Sequence, residues 1–134
     1  MVIIDTGPIV SLFDESESTH QICKETLKDI NSGIMTSWPV LTESFYLLED
    51  WQKGQNELWN FIIAGGLNIY EIPASDHNRI RWLMEKYSDN PMDLADATLV
   101  AIAETHKIKT IFTLDRNDFS KYRPKHCTHF EIIP

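Results

Sequence analysis

The chain has 134 residues, 43% hydrophobic and 24% charged, with a net charge of -8. That mixture fits one globular domain spanning 1–134 and excludes a disordered chain. The negative balance also excludes a nucleic-acid binder that works through overall positive charge. Only Cys23 and Cys127 are present, so no disulfide framework exists and a reducing compartment is expected. No stretch approaches the ~20 apolar residues of a spanning helix, and the expectation is a cytoplasmic, soluble protein with no membrane partner.

Val2-Ile3-Ile4 is fully apolar and reads as a buried strand. Asp5 ends it, Thr6-Gly7-Pro8 turns the chain, and Pro8 opens a short helix through Phe13. An acid at that place has two readings. It caps the following helix, or it lies at the carboxyl end of a parallel strand, where α/β sheets bind ligands. Ser18 to Ile30 is an amphipathic helix with Ile22, Cys23, Leu27 and Ile30 on one side. Ile34 to Ser37 is a second strand. Pro39 then opens a helix with Glu43 in its first turns, where the helix dipole favours an acid. Asn56 to Ile63 is a further helix, ended by Gly65-Gly66, and Asn68 to Ile72 a third strand. Ser75 or Asp76 caps the next helix, which carries Ile80, Leu83, Met84 and Tyr87.

Asp93 reads as an N-cap, with Asp96 at the third helical position. The helix that follows is apolar nearly all round from Ala95 to Ala103, so it is buried. One acid suffices for the cap. A second at a buried helix end, with no Lys or Arg before Lys107, is expensive unless something pairs with it. Lys109 to Leu114 is a fourth strand, followed by Asp115 and Asp118, and His129 to Ile133 a last one.

This order implies a three-layer α/β/α sandwich with a mostly parallel sheet. The carboxyl ends of parallel strands share one edge. Asp5 and Asp115 then lie there, with the helix starts that carry Glu43 and Asp96. Carboxylates so gathered repel unless a cation bridges them. Oxygen ligands alone suit Mg²⁺ or Mn²⁺ rather than zinc.

Four segments, I-I-D-T-G at 3–7, L-T-E-S at 41–44, D-L-A-D-A-T-L-V-A-I-A at 93–103 and F-T-L-D-R-N-D-F at 112–119, stand in a distinctive order. Together they resemble the PIN-domain nucleases, most of all the VapC-type toxins of toxin–antitoxin pairs. The resemblance covers nearly the whole chain. It implies metal-dependent hydrolysis of RNA, with Asp5, Glu43, Asp96 and Asp115 as the catalytic, metal-holding set. Thr6 and Thr113 match the hydroxyl positions beside it, and Asp93 and Asp118 are further candidate ligands. Many such sequences read T-R-N-x-x-D-F where this chain has Thr113-Leu114-Asp115-Arg116-Asn117-Asp118-Phe119. The acid at 115 leaves open whether Asp115 or Asp118 carries the larger part. The resemblance also implies Mg²⁺ or Mn²⁺ as cofactor, a small antitoxin and a homodimer.

No Cys–His or Ser–His pair has a motif that would support covalent catalysis. The basic run Lys121-Tyr122-Arg123-Pro124-Lys125 is either a solvated loop or a grip on RNA phosphates with Tyr122 stacked on a base. Trp38, Trp51, Trp59 and Trp82 are assigned to the core or a dimer interface. Pairing His20-x-x-Cys23 with Cys127-x-His129 gives a spacing too tight for common structural zinc. Two other functions compete with a toxin: a PIN-domain ribonuclease in RNA processing or turnover, and a non-catalytic RNA-binding module.

Overall fold

The apolar run Val2–Ile4 becomes the central strand β1 of a computed structural model that describes all residues, Met1–Pro134. Around it stand β2 (Ile34–Thr36), β3 (Asn68–Ile69), β4 (Thr110–Phe112) and β5 (Glu131–Ile133). The helices are α1 (Thr6–Phe13), α2 (His20–Asp29), α3 (Trp38–Leu47), α4 (Gln52–Ile63), α5 (His77–Lys86), α6 (Leu94–His106) and α7 (Arg116–Lys121), with a 3₁₀ turn at Ala74–Asp76. The sheet order is β3-β2-β1-β4-β5, and every pairing is parallel. The expected mostly parallel α/β/α sandwich is therefore a fully parallel one. Ile3 pairs with Met35 on one side and Ile111 on the other, all three buried.

Three elements differ from the sequence expectation by three residues or more, the simplest being β3, which stops at Ile69 instead of Ile72. Helix α7 occupies a stretch read as loop. It forms because Asp115 caps it, accepting from the Asp118 N–H at 3.0 Å, while Phe119 is buried beneath it. Helix α4 begins at Gln52, four residues before the expected Asn56, and so includes Gly54. A Cβ at Gly54 would lie 2.4 Å from the Phe13 carbonyl oxygen, so only glycine lets α4 approach the end of α1.

Helix α6 is the spine of the core. Every residue from Ala95 to Ala103 except Asp96 is buried. It packs on α5 and α3. The buried hydroxyls of Ser37 and Thr98, 2.7 Å apart, join the start of α3 to α6. At its far end Glu104 accepts two bonds from Arg79, at 2.9 and 2.7 Å, and one from the Lys125 N–H at 2.7 Å. These ties set the separation of the helices that bring Glu43 and Asp96 to the sheet edge.

Helix α6 ends on Lys107 at φ 57°, a left-handed conformation that glycine adopts without steric cost. Lys107→Gly is expected to stabilise the fold by up to about 1 kcal/mol, the relieved strain being partly offset by the freer unfolded chain. Urea unfolding checks this: the midpoint should rise at unchanged m-value.

A candidate metal centre at the carboxyl edge of the sheet

Neighbouring strands β1 and β4 run into Asp5 and into Thr113-Leu114-Asp115. Helix α3, leaving β2, brings in Glu43, and the start of α6 brings in Asp93 and Asp96. An open cavity of about 470 Å³ is lined by Asp5, Glu43, Asp93, Asp96, Asp115 and Asp118, together with Thr6, Gly7, Pro91 and Leu114. The structure thus gathers all six acids singled out from the sequence.

Each acid is anchored by a neutral donor. Asp5 accepts from the Thr6 N–H at 2.7 Å and from the Thr113 hydroxyl at 2.8 Å. That hydroxyl accepts in turn from the Asp115 N–H at 3.0 Å. Glu43 Oε2 accepts from the Thr6 hydroxyl at 2.9 Å. Asp93 Oδ1 caps α6 by accepting from the Asp96 N–H at 2.8 Å. Asp96 Oδ2 accepts from the Tyr122 hydroxyl at 2.8 Å, and Asp118 Oδ1 from the Asn90 amide at 3.1 Å. Thr6 and Thr113 stand where the sequence reading put them. Tyr122 and Asn90 were not foreseen as partners of the acids, since 26 and 28 residues separate the bonded pairs.

No cation pairs with any of the six: the ion pairs of the protein are Lys53 with Glu15 and Glu57, Arg79 with Glu104, and Arg81 with Glu85. The electrostatics follow. Burial, with the charges of Glu43 and Asp93 added, pushes the Asp5 carboxyl up to about 6, against the opposing bonds from Thr113 and Thr6. Asp96 is pushed up to about 8 by burial and then by Asp5, Asp93 and Asp115, with the Tyr122 bond opposing. Glu43 and Asp115 are also raised, burial first, and Lys121 is the one cation that counters this at Asp115.

A donor set of carboxylates alone, three half-buried and three exposed, without counterions, fits a hard divalent cation. Contact between acids stops at the pairs Glu43–Asp93 and Asp115–Asp118, and no three are drawn tightly enough together to ligate one ion as they stand. Glu43, Asp93, Asp96, Asp115 and Asp118 each keep one oxygen free of any N–H or O–H donor.

The basic run mostly lies elsewhere. Tyr122 is fully buried, which rules out the expected stacking on a base. Its ring sits among Tyr87, Phe119 and the core. The Arg123 guanidinium folds back on the carbonyl oxygens of Ser120 and Tyr122, at 2.6 and 3.0 Å. Lys125 is tied through its N–H to Glu104, which is about 12 Å further along α6 than Asp96 at the standard helical rise. Only Lys121 reaches the acids. The four tryptophans fill no core, each being 38–47% exposed. His20 and Cys23 form no metal site with Cys127 and His129: His20 bonds the Ser11 carbonyl oxygen and Cys23 is buried.

Because folding raises the pKa of Asp5 and Asp96 above the ordinary 3.8, the fold favours their protonated forms. Their contribution to stability is complete below about pH 4 and is lost as pH rises through about 6 and then about 8. In EDTA the melting temperature should fall between about pH 4 and 8. Asp96→Asn should remove the upper part of that fall and melt higher than wild type at pH 8. Equal slopes for the two proteins would mean that Asp96 carries no strained charge.

The PIN domain family matches residues 2–124. A curated relative, Ribonuclease VapC26 of Mycobacterium tuberculosis, is 29% identical over 99% of this chain and 100% of its own. Among solved structures, Mycobacterium tuberculosis VapC20, described as a sarcin-ricin loop cleaving toxin, superposes with TM-score 0.78 at 16% identity over 87% of this chain and 92% of its own. A toxin–antitoxin complex from Klebsiella pneumoniae gives TM-score 0.72 at 19% identity over 100% and 97%. At such identities these structures speak for the fold, and the near-complete family match does more: this chain belongs to the PIN-domain family.

Proposed function

We propose that this chain is a divalent-metal-dependent endoribonuclease and the toxin of a toxin–antitoxin pair. The observation that carries the reading is the cavity of six carboxylates with no cation paired to any of them. The name of the curated ribonuclease relative supports it, as do the toxin–antitoxin neighbours in structure. Asp5, Glu43, Asp96 and Asp115 hold Mg²⁺ or Mn²⁺, and Asp93 and Asp118 widen the acidic wall. Bound there, the cation supplies a more acidic water and neutralises charge on the phosphate oxygens.

The chain's own residues do the positioning. Thr113 fixes Asp5 and the backbone of Asp115 together. Thr6 fixes Glu43. Glu43 is exposed, and its donor-free Oε1 is the oxygen it would present to the cation. Lys121 draws the RNA backbone to an otherwise negative mouth. No helix is long and apolar enough to cross a membrane, and this reading puts the protein in the cytoplasm with its RNA. An open apolar groove of about 730 Å³ along α5, lined by Pro39, Ile72, Ile80, Met84 and Leu94, is the surface this reading assigns to the antitoxin or a second copy.

Purified chain freed of partner proteins should cut RNA with Mg²⁺ or Mn²⁺ and stop in excess EDTA. Asp5→Asn should abolish cleavage while leaving the circular dichroism spectrum unchanged. Cleavage undiminished by EDTA would overturn the reading. Lys121→Ala should weaken RNA binding and reduce the salt slope by about one counterion, whereas Lys125→Ala should change neither. Filter binding between 50 and 200 mM salt, the range over which such contacts typically weaken, reads both.

A further inference from the structure

Tyr122 donates to Asp96 Oδ2 at 2.8 Å across 26 residues of chain. The ring that carries this hydroxyl is fully buried. Tyr87 packs on it at 5.0 Å and 65°, and Phe119 at 5.1 Å and 77°, both edge-on. Phe119 in turn meets Phe130 at 6.1 Å. These rings form a cage that fixes the tyrosine from α7 and from the end of α5, with Phe130, before β5, packed behind Phe119. A buried hydroxyl is expensive without a partner. Phe119 and Phe130 fill the same cluster with no hydroxyl at all, so packing alone does not call for one at 122.

The acid that receives the bond is the one residue between Ala95 and Ala103 that is not buried. Its backbone N–H already satisfies Asp93. Nothing but the phenol restrains its carboxylate, and the phenol occupies one of its two oxygens. The other, Oδ1, is left for the cavity.

We infer that Tyr122 is a positioning residue: its buried hydroxyl holds Asp96 so that a single oxygen, Oδ1, is offered to the divalent cation. The proposal rests on the reading of Asp96 as a metal ligand and adds the group that orients it. Outer partners of this kind typically govern metal affinity by 10–100-fold. The remaining hydroxyl of the cage belongs to Tyr87, which accepts from the Arg123 N–H at 2.8 Å and touches no acid. Tyr87→Phe is therefore the matched control for losing a hydroxyl from the same cluster.

The test is Mn²⁺ binding to the whole, partner-free chain by calorimetry, with melting in EDTA measured alongside. Tyr122→Phe should raise the Mn²⁺ dissociation constant about tenfold or more, while Tyr87→Phe should stay within about twofold of wild type. A purely structural tyrosine predicts the reverse pattern: a lower melting temperature in EDTA with Mn²⁺ affinity unchanged. If Tyr122→Phe does not melt cooperatively, Tyr122→Met, which fills the cage with a flexible thioether and no donor, takes its place under the same criterion. Wild-type affinity in the tyrosine variant, with binding lost in Asp96→Asn, would overturn this proposal and leave the metal site standing. Wild-type affinity in Asp96→Asn as well would remove the metal reading of that acid and the role of Tyr122 with it.

Discussion

Carboxylates gathered in one cavity must be held against their own repulsion, and here neutral hydrogen-bond donors hold them. The hydroxyls of Thr6, Thr113 and Tyr122 and the N–H groups of Thr6, Asp96 and Asp118 each fix an acid without cancelling its charge. A lysine or arginine would anchor a carboxylate as firmly, but it would also neutralise it and compete with a bound cation. Arg79 and Glu104 show that this chain does build a bidentate, largely buried ion pair where the aim is structural. Its absence at the sheet edge is thus a property of that place, not of the sequence as a whole.

The sheet order explains why the acids meet. From β1 the chain steps outward through β2 to β3, then returns across the sheet to β4 on the other side of β1. That reversal opens a crevice between the carboxyl ends of β1 and β4. Asp5 leaves one wall of it and Asp115 the other. Helices α3 and α6 pack together through Ser37 and Thr98 and bring Glu43 and Asp96 in from above the sheet. Residues 5, 43, 96 and 115 are far apart in sequence, and the parallel topology alone makes them neighbours.

Much of this was legible in the residues, for an instructive reason. Reading Asp5 and Asp93 as either helix caps or site residues posed a choice that the structure does not make, and Asp115, read only as an acid after a strand, joins them. All three cap a helix, accepting from Thr6, Asp96 and Asp118, and all three line the cavity. A helix start at the carboxyl edge of a parallel sheet needs a capping acid, and the same placement aims the acid at the crevice. What stayed hidden depended on distant partners. The buried Tyr122 lies between Lys121 and Arg123, and charged neighbours disguise a core position. The six residues of α7 are too few for a hydrophobic period to be read. The tryptophans illustrate the converse: aromatic composition implied a core, but smaller side chains of α6 and the sheet fill it, leaving the indoles at the surface.

The same arrangement reconciles the charge of -8 with a polyanionic substrate. Without metal, the mouth of the cavity repels phosphate, and the one lysine beside Asp115 cannot reverse six acids. On the proposed reading, a divalent cation bound among these acids would offset part of their charge where the phosphate must approach, while the rest of the surface stays acidic. Attraction for RNA would then be confined to the loaded site instead of being spread over a basic face. On that reading, affinity for substrate and affinity for metal would be one property, governed by the groups that orient the acids. In this chain those groups are buried hydroxyls. Their positions are set by the core, so the packing of the fold reaches the acids through three hydrogen bonds, from Thr6, Thr113 and Tyr122.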